Sequence, residues 1–243
     1  MLADFDETTL RAATESLTGD GHTVSAQRVD VSSRASVAAL AETAAALGGV
    51  TRVAHTAGLS PTQASAEAIL KVDLLGVTLV LEEFGRVIAG RATGVVVSSM
   101  AGHMSPLPAE PEAALAHTPT DELLRLPFTD PGSAHAIAKR GNHLRVQTAS
   151  GTWGERGGRV NSVGPGVVST PMGQQELAAE SGTAMRAMID VSGTGRVGTP
   201  EDIASATAFL LGPDSTFVTG TDLLVDGGGV VAALRSGRLA KPS

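Results

Sequence analysis

The chain of 243 residues contains no cysteine and no tyrosine, with one tryptophan and five phenylalanines. Without cysteine there is no disulfide, no thiolate nucleophile and no thiolate metal ligand, and redox compartment leaves no trace in the sequence. Without tyrosine no phenol can donate a proton anywhere in the molecule. Few aromatic rings means little surface on which bases could stack, and a net charge of −7 repels a phosphate backbone. Nucleic acid is therefore not an expected partner. The opening MLADFDETTL is acidic, where a secretory leader has a basic head and an apolar run. The most apolar long stretch, 68–84, is interrupted by Lys71, Asp73, Glu82 and Glu83 and is too polar to span a bilayer. The expectation is a soluble, cytoplasmic protein without a membrane partner.

Hydrophobic residues make up 42% of the chain and charged residues 18%, enough apolar material for a buried core, and the length suits one folding unit. Helical periodicities alternate with short β-branched runs, which predicts an α/β fold with a doubly wound, Rossmann-like parallel sheet covered on both faces. Helices are expected near 7–18, 33–47, 65–90, 133–150, 172–190 and 200–211. Strands are expected near 22–28, 51–55, 94–99, 158–163 and 221–225. The sharpest local signal is Thr199-Pro200-Glu201-Asp202: a capping hydroxyl, a proline preset for the first helical position, and two acids at the positive end of the dipole. One stretch, about 103–132, breaks the rhythm. Its prolines at 106, 108, 111, 119, 127 and 131 forbid a continuous helix, although AALAH and DELLRL could each form a turn or two. A connection this long is expected to be an insertion, either a lid or binding loop or a surface elaboration.

Separated patches carry chemistry. His55-Thr56-Ala57-Gly58 ends one strand, Val95-Val96-Val97-Ser98-Ser99-Met100-Ala101-Gly102 ends another, and Asn161 through Pro171 includes Gly164-Pro165-Gly166-Val167-Val168-Ser169-Thr170. Together with Ala136-Ile137-Ala138-Lys139, Arg196 through Asp202 and Val225-Asp226-Gly227-Gly228, they resemble, in the right order along the whole chain, the short-chain dehydrogenase/reductase superfamily. The resemblance implies hydride transfer between NAD and an alcohol or ketone. Such a reaction needs a hydrogen-bond donor on the substrate oxygen and an acid to protonate the developing alkoxide. In the family a serine donates the bond, a tyrosine supplies the proton, and a lysine four residues later lowers the tyrosine pKa and binds the nicotinamide ribose. Ser99 and Lys139 match the serine and the lysine. Four residues make one helical turn, so acid and lysine face one cleft. Taken alone, Ser99 would be no more than a strand-end hydroxyl satisfying local backbone.

Two departures weaken the resemblance. The tyrosine position is His135, whose imidazole has an ordinary pKa of about 6.5 against about 10 for a phenol. An ammonium at Lys139 would depress it further, leaving a neutral ring that is a poor proton source. Asp73 stands where the family has a lysine-supporting asparagine. It is expected either to pair with Lys139 or to be a helix-bending polar residue without a catalytic role. The implied cofactor contacts are Asp4 and Asp30-Val31 on the adenosine side, then Ala57, Gly58, Lys139, Pro165, Gly166, Val168 and Thr170 toward the nicotinamide. Asp4 favours NAD, because a carboxylate accepts from the ribose 2′-hydroxyl and repels a 2′-phosphate.

The glycine-rich phosphate turn of the family has no counterpart. Leu2-Ala3-Asp4-Phe5-Asp6 resembles the end of the family's second strand, so the first strand, its glycine loop and the first helix are expected upstream of Met1. The expected fold is thus a single Rossmann domain over 1–243 that is N-terminally truncated, the alternative being that the rest of the chain has compensated for the missing strand. Losing the buried side chains of a central strand would cost on the order of 10 kcal/mol. Gly193-Thr194-Gly195-Arg196-Val197-Gly198 has the glycine spacing but follows a helical stretch, the wrong context. NAD binding by these residues alone is expected to be weak, since the amides that neutralise the pyrophosphate are missing. The long interval from Ser99 to His135 resembles the hydroxysteroid dehydrogenase/carbonyl reductase branch, which implies a small apolar ketone or secondary alcohol as substrate and a homo-oligomeric assembly. No metal is expected. The alternatives are a cofactor-independent isomerase, lyase or cyclase using His135, Lys139 and Asp73, or a non-catalytic subunit on the same scaffold.

Overall fold

The computed structural model describes residues 1–104, 106–127 and 133–236. Two short strands come first, β1 (Leu2–Asp4) and β2 (Ala26–Arg28), separated by helix α1 (Glu7–Gly19). Helix α2 (Arg34–Leu47) leads to β3 (Val50–His55), and then helix α3 (Ala66–Ile69), a π-helical segment (Leu70–Gly76) and helix α4 (Val77–Val87) form one bent rod. β4 (Ile88–Val97), helices α5 (Ala101–Met104) and α6 (Ala109–His117), and the long α7 (Ala134–Glu155) follow. The chain closes with β5 (Arg159–Pro165), α8 (Pro171–Ala178), α9 (Gly182–Val191), α10 (Pro200–Leu211), β6 (Asp222–Val225) and α11 (Gly229–Ser236). Among the described residues every ladder is parallel, as the alternating pattern predicts, and no helix is long and apolar enough to cross a membrane.

The strands fall into two groups, β1-β2 and β3-β4-β5-β6. Among the described residues no ladder joins β1 to β3. The consequence is visible in β3, where Thr51, Arg52 and Ala54 are exposed. It is visible in β2 as well. A strand over 22–28 is predicted, but pairing covers only Ala26–Arg28, because β1 offers three residues to pair with.

Caps set the helix starts. The Asp6 carboxylate accepts the Thr9 N–H at 2.6 Å to open α1, and Ser33 does the same for α2. At α10 the expected signal forms a reciprocal capping box, the Thr199 N–H donating to Asp202 at 2.8 Å. The predicted helix over 65–90 is corrected: it ends at Val87, and β4 starts at once, at Ile88 instead of 94. Val50 pairs with Ile88, a bulge follows, and Arg91 takes φ 64°, so the strand is longer than its β-branched core. α7 overshoots its predicted end because Trp153 anchors its last turn. The indole is 1% exposed, its Nε1 donates to the Leu81 carbonyl at 3.0 Å, and a Cβ on Gly94 would lie only 2.7 Å from it.

The main core lies between the sheet and α2, α4 and α7, around Val37, Val77, Leu79, Val96, Val146 and Trp153. A second core holds Leu115 and Leu123, from the expected insertion, against Ile69, Leu74, Ile137 and Leu144. The insertion thus folds as α6 and a short 3-10 turn (Thr120–Arg125), and both leucines are fully buried. Arg34 ties this turn to α4, contacting Glu82 at 2.9 Å, Glu83 at 2.8 Å and Asp121 at 3.2 Å. Arg140 of α7 pairs with Glu112 of α6. The described part of the insertion is a packed wall. Residues 105 and 128–132 of it, and the tail 237–243, lie outside the described residues.

Candidate active site

In an open parallel sheet, ligands meet the loops that leave the carboxyl ends of the strands, and the residues singled out by the sequence sit there. Ala57 and Gly58 follow β3, Ser99 follows β4, and Pro165, Gly166, Val168 and Thr170 end or follow β5, while Asp4 and Asp30 end or follow β1 and β2. Ser99 is held by its neighbours. The Ser98 hydroxyl donates to the Lys139 carbonyl at 3.1 Å, and the Met100 N–H donates to the Pro165 carbonyl at 2.9 Å. The Ser99 Oγ accepts the Ala101 N–H at 3.1 Å. That satisfies local backbone and leaves the hydroxyl proton able to donate.

The centre of the site is an ion pair. Lys139, from the second turn of α7, lies 3.1 Å from Asp73 Oδ2. The lysine is 5% and the aspartate 0% exposed. Asp73 sits in the π-helical segment, a backbone form concentrated at functional sites, and its Oδ1 accepts the Leu59 N–H at 2.8 Å. Gly58 closes over the pair: a Cβ there would lie 3.4 Å from Lys139 Nζ and 3.6 Å from Asp73. Asp73 thus pairs with Lys139 and also sits in the π-helical bend.

His135 stands one turn before Lys139, with Nδ1 3.8 Å from Asp73 Oδ2, beyond hydrogen-bond reach. Burial, and then the Lys139 ammonium, push its pKa down to about 4 against an opposing pull from Asp73. His55, at the end of β3, is also buried, and burial with the same ammonium takes it to about 4. Two buried imidazoles therefore lie in the field of the Lys139 ammonium, and His135 also feels the Asp73 carboxylate. The sequence reading placed His55 only as part of a resemblance. Its electrostatic role, and the tie made by Ser98, depend on which side chains α7 brings under the sheet edge, and no local pattern announces that.

The residues that the family resemblance assigns to the cofactor at the end of β5 are closely fitted. A Cβ on Gly166 would come 2.7 Å from Asp226 Cα, so only glycine passes there. Val168 bridges to Gly198, and Thr170 caps α8, accepting the Gly173 N–H at 3.1 Å. The residues toward the adenosine are different. Asp4 is exposed and accepts the Asp6 N–H at 2.8 Å. Asp30 accepts the Ser32 N–H at 2.9 Å and its hydroxyl at 2.6 Å. Val31 packs on Gly76, where a Cβ would be 2.9 Å from a Val31 methyl. The β1–α1 turn, Phe5-Asp6, has no glycine; it follows the strand that resembles the family's second, not the first, whose glycine turn takes the pyrophosphate. The stretch Gly193–Gly198 lies in the loop between α9 and α10, so it does not cradle phosphate after a strand.

Comparison with known proteins agrees with this geometry. A family model described as enoyl-(acyl carrier protein) reductase matches residues 1–229. A short-chain dehydrogenase/reductase, bsc3, of Alternaria brassicicola is 40% identical over 235 residues, covering 94% of this chain and 86% of that protein. 3beta-hydroxysteroid dehydrogenase 1 of Eggerthella lenta is 30% identical over 227 residues, covering 92% and 80%. Among solved structures, the 3-alpha-hydroxysteroid dehydrogenase of Pseudomonas sp. B-0831 complexed with NADH superposes with a TM-score of 0.77 at 27% identity, over 97% of this chain and 99% of that one. With the parallel sheet and the residues gathered at its carboxyl edge, these matches place the chain in the short-chain dehydrogenase/reductase family of oxidoreductases.

Proposed function

We propose that the chain is an NAD-linked oxidoreductase that interconverts a small apolar secondary alcohol and its ketone, with proton transfer weakened by His135. The observation that carries this reading is the buried Asp73–Lys139 pair at 3.1 Å, one helical turn from His135 and beside the strand end that bears Ser99. Ser99 is the catalytic hydroxyl, donating to the substrate oxygen. Lys139 pairs with the Asp73 carboxylate at 3.1 Å and has three ammonium protons. These are available to a ribose hydroxyl and to the proton path through residue 135. Gly58, Pro165, Gly166, Val168 and Thr170 fit a nicotinamide, whose role when bound is to give or take the hydride. The family's glycine-rich first turn, whose amides take the pyrophosphate, has no counterpart in these residues, so by themselves they hold the cofactor weakly. Asp4 supports NAD over its 2′-phosphorylated form. The named relatives that act on hydroxysteroids support an apolar ketone or alcohol.

His135 limits the chemistry. With a pKa of about 4 the ring is neutral at pH 7, and a neutral imidazole gives up its N–H far less readily than a phenol assisted by an adjacent ammonium. His135→Tyr is therefore expected to raise turnover by about tenfold, a change of only ~1.4 kcal/mol at the transition state. The measurement is NADH formation from cyclic and aromatic secondary alcohols at saturating NAD, from pH 6 to 10, for both forms. A histidine form as active as the tyrosine form would make His135 a working acid-base group and end the weakened-transfer account. Turnover of a substrate without nicotinamide, with no alcohol oxidised by either form, would end the redox reading.

A further inference from the structure

A second polar cluster lies behind Ser99, outside the set that handles the substrate. His103 comes from α5, His143 from α7 one turn beyond Lys139, and Asp222 from the first position of β6. His103 Nε2 is 2.7 Å from Asp222 Oδ2, and His143 Nε2 is 3.4 Å from Asp222 Oδ1. One ligand atom from each of the three residues lies within 4.8 Å of the others. The two rings converge with centroids 4.6 Å apart. His143 is 3% exposed, yet neither of its ring nitrogens has a hydrogen-bond partner among the described residues. A buried imidazole with both nitrogens orphaned is costly, so the arrangement is incomplete as a hydrogen-bonded trio.

Space has been made for these groups. A Cβ on Gly102 would come 2.6 Å from His143 Cε1, and a Cβ on Gly164 would come 2.6 Å from Asp222 Oδ2 and 3.5 Å from His103 Nε2. Asp222 also accepts from the Ser162 hydroxyl at 2.5 Å, an outer bond of the sort that orients ligating carboxylates. The partly exposed His103 leaves a way in from solvent.

We propose that His103, His143 and Asp222 bind a divalent first-row transition-metal ion of the zinc type. Two imidazole nitrogens and one carboxylate suit such ions better than magnesium or calcium, which favour oxygen ligands. Bonds of about 2.0–2.1 Å in a tetrahedron set neighbouring ligand atoms roughly 3.3 Å apart, within the spread seen here, and a fourth position stays open for water. The ion would cross-link the turn that follows Ser99, the helix that carries Lys139 and strand β6. It is thus a structural clasp for the site, and it does not depend on which substrate that site takes.

The test uses the untagged 243-residue chain, stripped with a chelator and titrated with zinc by calorimetry and with cobalt(II) by visible absorption. One equivalent is expected to bind with a Kd on the order of 10 μM or tighter, with cobalt giving the bands of nitrogen and oxygen coordination and zinc raising the melting temperature. His103→Ala, at the partly exposed position, and Asp222→Asn, which keeps shape and the Ser162 bond, should each weaken binding by at least about tenfold with unchanged far-UV circular dichroism. Absence of saturable binding to the folded wild-type chain overturns the proposal. So does binding that both variants retain in full, since the ion would then sit on other histidines.

Discussion

Asp73 and Asp6 both lie at helical turns and both accept a backbone N–H, from Leu59 at 2.8 Å and from Thr9 at 2.6 Å. They differ in everything around that bond. Asp73 is sealed beneath Gly58 and faces an equally buried Lys139. Asp6 caps α1 in water, beside an edge of the short β1-β2 pair. The contrast extends to their neighbourhoods. Around Asp73, buried side chains close in from the π-helical segment and α7. Around Asp6, Asp4 and Asp30, carboxylates are tied to their own nearby turns and little packs over them. A carboxylate held only locally is replaceable. One that neutralises a buried ammonium is not, because its removal strands a charge in a low dielectric.

The comparison is most sharply broken by Asp73→Ala. Stranding Lys139 should cost about 3–5 kcal/mol, read as a lowered urea midpoint, and Asp73→Asn, which keeps the Leu59 bond but not the charge, should lose nearly as much. A much smaller loss in the asparagine form would mean that the charge is not what matters. Leu115→Ala probes the wall beside the site and should cost about 2–5 kcal/mol, as for other fully buried leucines. A loss below that range would show that the insertion is peripheral to folding.

The next effect depends on pH. Unfolded histidine binds its proton near pH 6.5, while His55 and His135 in the folded chain do so only near 4. Between those values the unfolded state holds more protons, so stability is complete above about 6.5 and falls as pH drops toward 4. Going from pH 7 to 5.5 should remove ~1 kcal/mol per imidazole, and His55→Asn with His135→Asn should flatten that slope. A slope unchanged in the double variant would move the effect to other groups. The smallest change is expected from Asp6→Ala, which removes one exposed cap: a slightly lower midpoint with an unaltered urea slope. A loss approaching that of Asp73→Ala would erase the distinction between the two regions.

β4 and β5 were legible because their apolar runs are buried, and α10 because its start writes out a capping box. The limits of β2 and β4 were not. One is set by the three residues β1 can pair with and the other by a bulge at Arg91, both properties of a neighbour. The π-helical segment is equally silent, since apolar spacing through Leu74 and Leu75 reads as ordinary helix. At the site, Ser99, Lys139 and His135 could be picked out through the family resemblance of the residues around them. The trio His103, His143 and Asp222 does not, because three elements far apart in the chain must be folded before those side chains meet. Asp222, an acid opening an otherwise apolar strand, was the one sequence hint of it.

Trp153 gives the molecule an unusual optical simplicity. It is the sole indole in a chain without tyrosine, and it is clamped between α4, α7 and β4 with its N–H spent on Leu81. Nearly all intrinsic emission therefore comes from one apolar, motionally restricted point beneath the sheet. A red shift on excitation at the indole band reports the opening of the main core alone, uncontaminated by the second core under the insertion or by the short β1-β2 pair. Comparing it with circular dichroism, which averages every helix, would show directly whether those outlying parts melt together with the centre or before it.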